Sequence, residues 1–185
     1  MKKLSLVFLI LLFTIQFSLA QSEGDIISIQ FLSSVDKHQP GNTYPVAFKV
    51  DIMEPFHINS QTPSEDFLIP TTLTIDPVEG LEFGELKFPK ADVKTFEFSE
   101  TPLSVYEHTF YIFTDMTVAE NLNPAKVNFN ATFSYQACDN QTCRAPADII
   151  FENMVDVVSP ETPIQAANVD VFSQPAQPEK AAENT

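Results

Sequence analysis

Val127-Asn128-Phe129-Asn130-Ala131-Thr132-Phe133-Ser134-Tyr135-Gln136-Ala137 alternates without a break between apolar and polar side chains. A strand sends successive side chains to opposite faces. Val127, Phe129, Ala131, Phe133, Tyr135 and Ala137 therefore share one face, and Asn128, Asn130, Thr132, Ser134 and Gln136 share the other. This is the period of a half-buried strand, because a helix would repeat its apolar positions every three or four residues. Continued by one residue, the alternation puts Cys138 on the polar face, away from the core.

The same period recurs on both sides of this stretch. Ile27, Ile29 and Phe31 alternate with Ser28 and Gln30, and Val46, Phe48, Val50 and Ile52 alternate with Ala47, Lys49 and Asp51. Thr72 to Ile75 and Phe110 to Phe113 read as further strands. Ile149, Phe151, Val155 and Val157 suggest a last one, with Asn153 breaking its apolar face. His38 to Asn42, Pro55 and Pro77 to Gly80 supply turn chemistry between them. With 17 phenylalanines, 14 prolines, four glycines and no helical period in the mature chain, the expected fold is all-β, a β-sandwich.

The ends read differently. Lys2 and Lys3 precede an apolar run from Leu6 to Phe13, and Ser18-Leu19-Ala20 is a small-x-small cleavage signal. Residues 1–20 read as a secretory signal peptide, since the apolar run is short for a bilayer span. No cysteine follows Ala20, which argues against a lipid anchor there. The expected mature domain spans residues 21–158. From Ser159 the composition turns to Pro, Ala, Gln and Glu, so residues 159–185 are expected to be a disordered tail. Val169, Val171 and Phe172 within it read as an incidental apolar patch or a docking motif.

Ten basic and 25 acidic residues give a net charge of −15. Without Lys2 and Lys3 the mature chain keeps eight basic and 25 acidic residues, net −17. Such a surface is unsuited to nucleic acid or anionic membranes. It serves solubility, or steers a basic partner.

Export exposes the chain to an oxidising compartment, where cysteine pairs form disulfides. The chain has two cysteines, Cys138 and Cys143, separated by Asp139-Asn140-Gln141-Thr142. The spacing is too wide for the thioredoxin C-x-x-C. A disulfide closing so short a loop contributes only about 2 kcal/mol by loop entropy. Spacing alone leaves a hairpin staple and an exchange-active pair both open. A zinc site would need His38, His57 or His108 in addition, and no ligand spacing supports one. A Cys-His hydrolase conflicts with an oxidising compartment. Asn130-Ala131-Thr132 and Asn140-Gln141-Thr142 match the glycosylation sequon, which matters only in a eukaryotic secretory pathway.

Several segments resemble the amino-terminal periplasmic domain of the bacterial thiol:disulfide interchange protein DsbD. They are Phe56-His57-Ile58-Asn59-Ser60, Phe67-Leu68-Ile69-Pro70-Thr71, Phe96-Glu97-Phe98-Ser99 with Val105-Tyr106-Glu107, and Tyr135-Gln136-Ala137-Cys138-Asp139 through Cys143 to Pro146. The likeness runs from about Asp25 to Val158. It implies an immunoglobulin-like β-sandwich in the periplasm that takes electrons from a thioredoxin-like donor and passes them to envelope oxidoreductases. It further implies that Cys143 forms the mixed disulfide and Cys138 resolves it. A cap loop would shield the pair, with Phe98 as its lid and Phe96 as the alternative. His57, Asn59 and Asp139 are candidates for tuning the pair. No cofactor and no metal are expected. The family's membrane-spanning carrier and thioredoxin-like domain have no counterpart in this sequence, so partners are expected to be separate thioredoxin-like proteins and a separate membrane electron carrier. A non-catalytic Ig-like adaptor with a structural disulfide is the rival reading. An envelope chaperone is a third, which no residue singles out.

Overall fold

The computed structural model describes residues 26–173. Among the described residues, eleven strands and one short helix follow one another. They are β1 (Ile27–Ser33), β2 (Thr43–Ile52), β3 (His57–Asn59), β4 (Thr72–Ile75), β5 (Leu81–Phe83) and β6 (Asp92–Lys94). They continue with β7 (Leu103–Tyr106), β8 (Thr109–Val118), β9 (Ala125–Tyr135), β10 (Ala137–Cys138), β11 (Ala147–Val157) and α1 (Val169–Phe172). The signal peptide expected at residues 1–20 lies outside the described residues.

Three antiparallel sheets form, with strand orders β1-β2-β8-β5, β11-β9-β4 and β10-β3-β7-β6. The first two face one another across a shared core, as a β-sandwich requires. Alternation aims Tyr44, Val46, Phe48, Val50 and Ile52 of β2 inward, together with Phe110, Ile112, Met116 and Val118 of β8. Phe129, Ala131, Phe133 and Tyr135 of β9 meet them from the other sheet. Rings bridge the two sheets: Phe31 packs on Phe129 at 5.3 Å edge-on, and Phe48 on Phe151 at 6.0 Å. Asn153 faces inward on β11 with its amide nitrogen buried and unpaired, the break that its sequence position announced.

The third sheet sits where the chain changes partners. β9 pairs with β11 as far as Tyr135 and with β4 as far as Ser134, and after Gln136 the chain continues as β10 against β3. Ala137 stays on the inner face opposite Ile58, and Cys138 stands opposite His57 on the outer face. That outer face is not open to water. The connection between β6 and β7 folds back over it, and Phe96, Leu103 and Val105 form a small second core with Leu68.

Two expectations need correction. Cys138 keeps the predicted parity, but it is 1% exposed, because the chain from 95 to 102 covers the face that the alternation alone would leave in solvent. The stretch from Ser159 is not a disordered tail as far as Ser173. It runs back along the first sheet, with Asp36 N–H bonding to Gln165 O (3.0 Å), Ala167 N–H to Ser34 O (2.8 Å) and Asn168 Nδ2 to Ser33 O (2.8 Å). Gln39 Nε2 reaches Pro160 O and Thr162 O, and Phe172 of α1 lies edge-on to Phe113 at 6.1 Å. Composition missed this because the strap is held by backbone carbonyls, which any sequence carries. The rest of the expected tail, residues 174–185, lies outside the described residues.

Candidate functional site: a capped disulfide

Cys138 and Cys143 are joined in a disulfide. The two residues also pair across a tight hairpin whose backbone is bonded without help from sulfur. Asp139 N–H donates to Thr142 O at 3.0 Å, and Arg144 N–H donates to Ala137 O at 2.8 Å. Asp139 closes the turn with its side chain, Oδ1 accepting the N–H groups of Gln141 (2.8 Å) and Thr142 (2.9 Å). Those two bonds hold the Asp139 carboxyl below the usual carboxylate range, with Arg144 and His57 adding smaller attractions.

The sulfur pair is asymmetric. Cys138 is enclosed, whereas Cys143 is half-buried on a hairpin whose other residues are exposed from Asn140 to Thr142. Arg144, the single arginine of the chain, follows Cys143 and lays its guanidinium over the Phe56 ring at 4.8 Å. Gln136 Nε2 donates to Arg144 O (3.0 Å), tying the return limb of the hairpin to the sheet crossing.

Three near-parallel rings cover the enclosed side. Phe96 stacks on His57 with centroids 4.0 Å apart and planes 14° apart. Phe98 lies 5.5 Å from Phe96 and 6.2 Å from His57. Phe96 is 8% exposed and Phe98 37%, so Phe96 is the inner layer and Phe98 the outer. A cleft of about 360 Å³ separates the cap from the cysteine hairpin, lined by Thr95, Phe96, Glu97, Asn140 and Gln141. Lys94 and Glu107 form an ion pair at the base of the cap.

His57 is fully buried, and loss of hydration pushes its imidazole below the ordinary value. Glu107 and Asp139 oppose that shift, and Lys94 adds to it. Its Nε2 has no hydrogen-bond partner among the described residues. Asn59, on the same face, donates from Nδ2 to Ile69 O (3.0 Å) and to Gln136 Oε1 (3.4 Å), which ties the chain from 60 to 70 to the sheet. The remaining histidines stand elsewhere. His38 bonds to Ser33 Oγ at 2.8 Å beside Tyr44, and His108 is exposed near Glu54. Among the described residues no group of three or more His, Cys, Asp or Glu is placed to hold a metal.

The sequence residues Cys138, Cys143, His57, Asn59, Asp139, Phe96 and Phe98 thus come together around one hairpin. Sequence reasoning passed over Leu68 as a floor of the cap and Arg144 as the cation beside Cys143. A lone arginine adjacent to a cysteine in so acidic a chain was the available signal for the second.

No family model matches the chain, and no curated protein matches it. Among solved structures, the chain is similar to the reduced amino-terminal domain of DsbD from Neisseria meningitidis. The identity is 18%, over 74% of this chain and 89% of that one, with a TM-score of 0.42. It is also similar to the amino-terminal periplasmic domain of ScsB from Proteus mirabilis, at 9% identity over 75% of this chain and 49% of that one, TM-score 0.46. A third similar structure is the complex between the DsbD and PilB amino-terminal domains of Neisseria meningitidis, at 18% identity over 66% of this chain and 80% of that one, TM-score 0.37.

Proposed function

We propose that this chain is a periplasmic thiol–disulfide exchange module, exported through the signal at residues 1–20. It passes reducing equivalents between a thioredoxin-like donor and envelope oxidoreductases through Cys138 and Cys143, and a separate membrane electron carrier is a further partner. The observation that carries this reading is the asymmetry of the pair. Cys143 is half-buried on the hairpin, whereas Cys138 is buried beside His57, the ring on which Phe96 stacks.

Thiol–disulfide exchange needs an attacking thiolate with access to one sulfur. Cys143 offers that access. A partner thiolate bonds to Cys143 Sγ, the Cys138–Cys143 bond breaks, and its electron pair stays on Cys138. Cys138, enclosed and adjacent, is placed to resolve the mixed disulfide by the reverse displacement. The cap residues Phe96 and Phe98 would limit attack by small thiols and yield to a docking protein. A staple role is the weaker account, because the hairpin is already closed by its own backbone bonds and by Asp139.

The test is the reduction potential of the pair, obtained by equilibration with defined thiol buffers. A value between roughly −180 and −270 mV supports exchange. A value below about −300 mV marks a resistant structural bond and favours the adaptor reading. In the exchange case, Cys138→Ser should accumulate a mixed disulfide with an oxidised thioredoxin-like protein, and Cys143→Ser should accumulate far less.

A further inference from the structure

Opening the disulfide creates a problem that the oxidised protein does not have. The electron pair released by attack on Cys143 lands on Cys138, which is 1% exposed. An unpaired thiolate among apolar groups is costly, and burial of that kind raises a thiol's pKa. Either direction of exchange through this pair therefore needs a donor beside Cys138.

The outer face of the small sheet offers few. Asn59 already commits its amide N–H groups to Ile69 and Gln136, and its unpaired Oδ1 can only accept. Lys94 is engaged with Glu107 at the rim. His57 is left. It is the direct cross-strand partner of Cys138, and directly opposed residues carry their side chains on one face with Cβ atoms about 4.5–5.5 Å apart. It is 1% exposed, stacked against Phe96, and its Nε2 is buried with nothing among the described residues bonded to it.

We propose that His57 is the positioning residue for the enclosed cysteine, its Nε2–H donating a hydrogen bond to the Cys138 thiolate whenever the disulfide is open. The balance is simple. A partner thiolate bonds to Cys143 Sγ, the intramolecular S–S bond breaks, and its electron pair becomes the Cys138 thiolate that His57 holds. In reverse, that pair re-forms the bond to Cys143 and the partner leaves as a thiolate. No proton need cross the cap in either direction. The charged groups facing His57 are Glu107 beyond the end of β7, Asp139 after β10 and Lys94 on β6. Burial keeps the ring neutral at neutral pH, so it carries one N–H, and the proposal places that proton on Nε2. The stacked Phe96 would fix the ring plane and so the direction of the bond.

This inference deepens the exchange reading, yet its test needs no protein partner. The pH titration of Cys138 is followed by thiolate ultraviolet absorbance in a Cys143→Ser background, with His57 intact, as His57→Phe and as His57→Gln. Reduction of the two-cysteine protein by dithiothreitol is timed in the same three forms. Phe keeps the ring stack and removes the donor, whereas Gln keeps a donor and removes the stack. The expected result is a raised titration midpoint and a roughly tenfold slower reduction for His57→Phe, with His57→Gln within about threefold of the parent. An unchanged midpoint and rate in His57→Phe, or a loss confined to His57→Gln, would mean that the ring only packs, and would overturn the proposal. If His57→Phe fails to fold, His57→Leu, which also removes the donor, takes its place: a raised midpoint and slower reduction there against a near-parent His57→Gln support the proposal, and an unchanged midpoint and rate overturn it. Failure of every thioredoxin-like protein to exchange would sink the functional reading while leaving the titration result standing.

Discussion

Phe96 and Phe98 differ in what each contributes to the cap. Phe96 lies against His57 and closes the small outer core, whereas Phe98 adds a half-exposed second layer. Removing the inner ring should open a path to the enclosed sulfur, and removing the outer one should only thin it. Phe96→Ala is expected to speed reduction by a small thiol such as glutathione several-fold and to lower the melting temperature. Phe98→Ala should speed it less and leave stability nearly unchanged. Timed reduction with thermal unfolding checks both, and equal rates in the two variants would contradict the layering. The sequence pointed to both phenylalanines through their place in the resembling segment and favoured Phe98 as the lid. It had no means of ordering the layers, since both have the same residue type two positions apart.

Among the elements, β2 and β9 were legible through their alternation, the four-residue β4 was read with its bounds, and β8 was read only over Phe110 to Phe113 of its ten residues. β2 and β9 run ten and eleven residues, enough for an alternating pattern to stand out. β3, β6 and β10, which carry or frame the site, run three, three and two residues, too short for a period to register. The strap from Ser159 to Ser173 was lost for the other reason, because its partners are carbonyls and single side chains on the far side of the sequence. Deleting residues 159–185 should remove at least the bonds to Asp36, Gln39, Ser34 and Ser33, a loss of about 2–4 kcal/mol. Denaturant unfolding measures it. Hydrogen exchange should show the new openness at residues 33–39 and leave the cysteine hairpin protected. A truncated protein as stable as the full chain would mean that the strap merely rests on the sandwich.

At the scale of the whole molecule, the buried His38 links folding to pH. Loss of hydration holds its pKa below the ordinary value, more than the Asp156 carbonyl and the nearby carboxylates raise it. The unfolded chain takes up that proton near about pH 6.5, the folded chain only below it. Stability from this site is therefore complete above that value and is lost as pH falls through the folded pKa. The stability gap between the parent protein and His38→Gln should narrow from about pH 7.5 to about pH 5.5 in urea unfolding. A constant gap would show that the ring titrates alike in both states. The sequence by itself determined the all-β class, which side chains of β2 and β9 share a face, and the one cysteine pair, because alternation and residue identity are local properties of the chain. Tertiary structure alone decided that Cys138 is the buried member of the pair and Cys143 the half-buried one, that His57 stands opposite Cys138, and that the C-terminal strap is folded as far as Ser173. Each of these depends on which distant segment covers a face, and the side-chain period of a single strand carries no record of that.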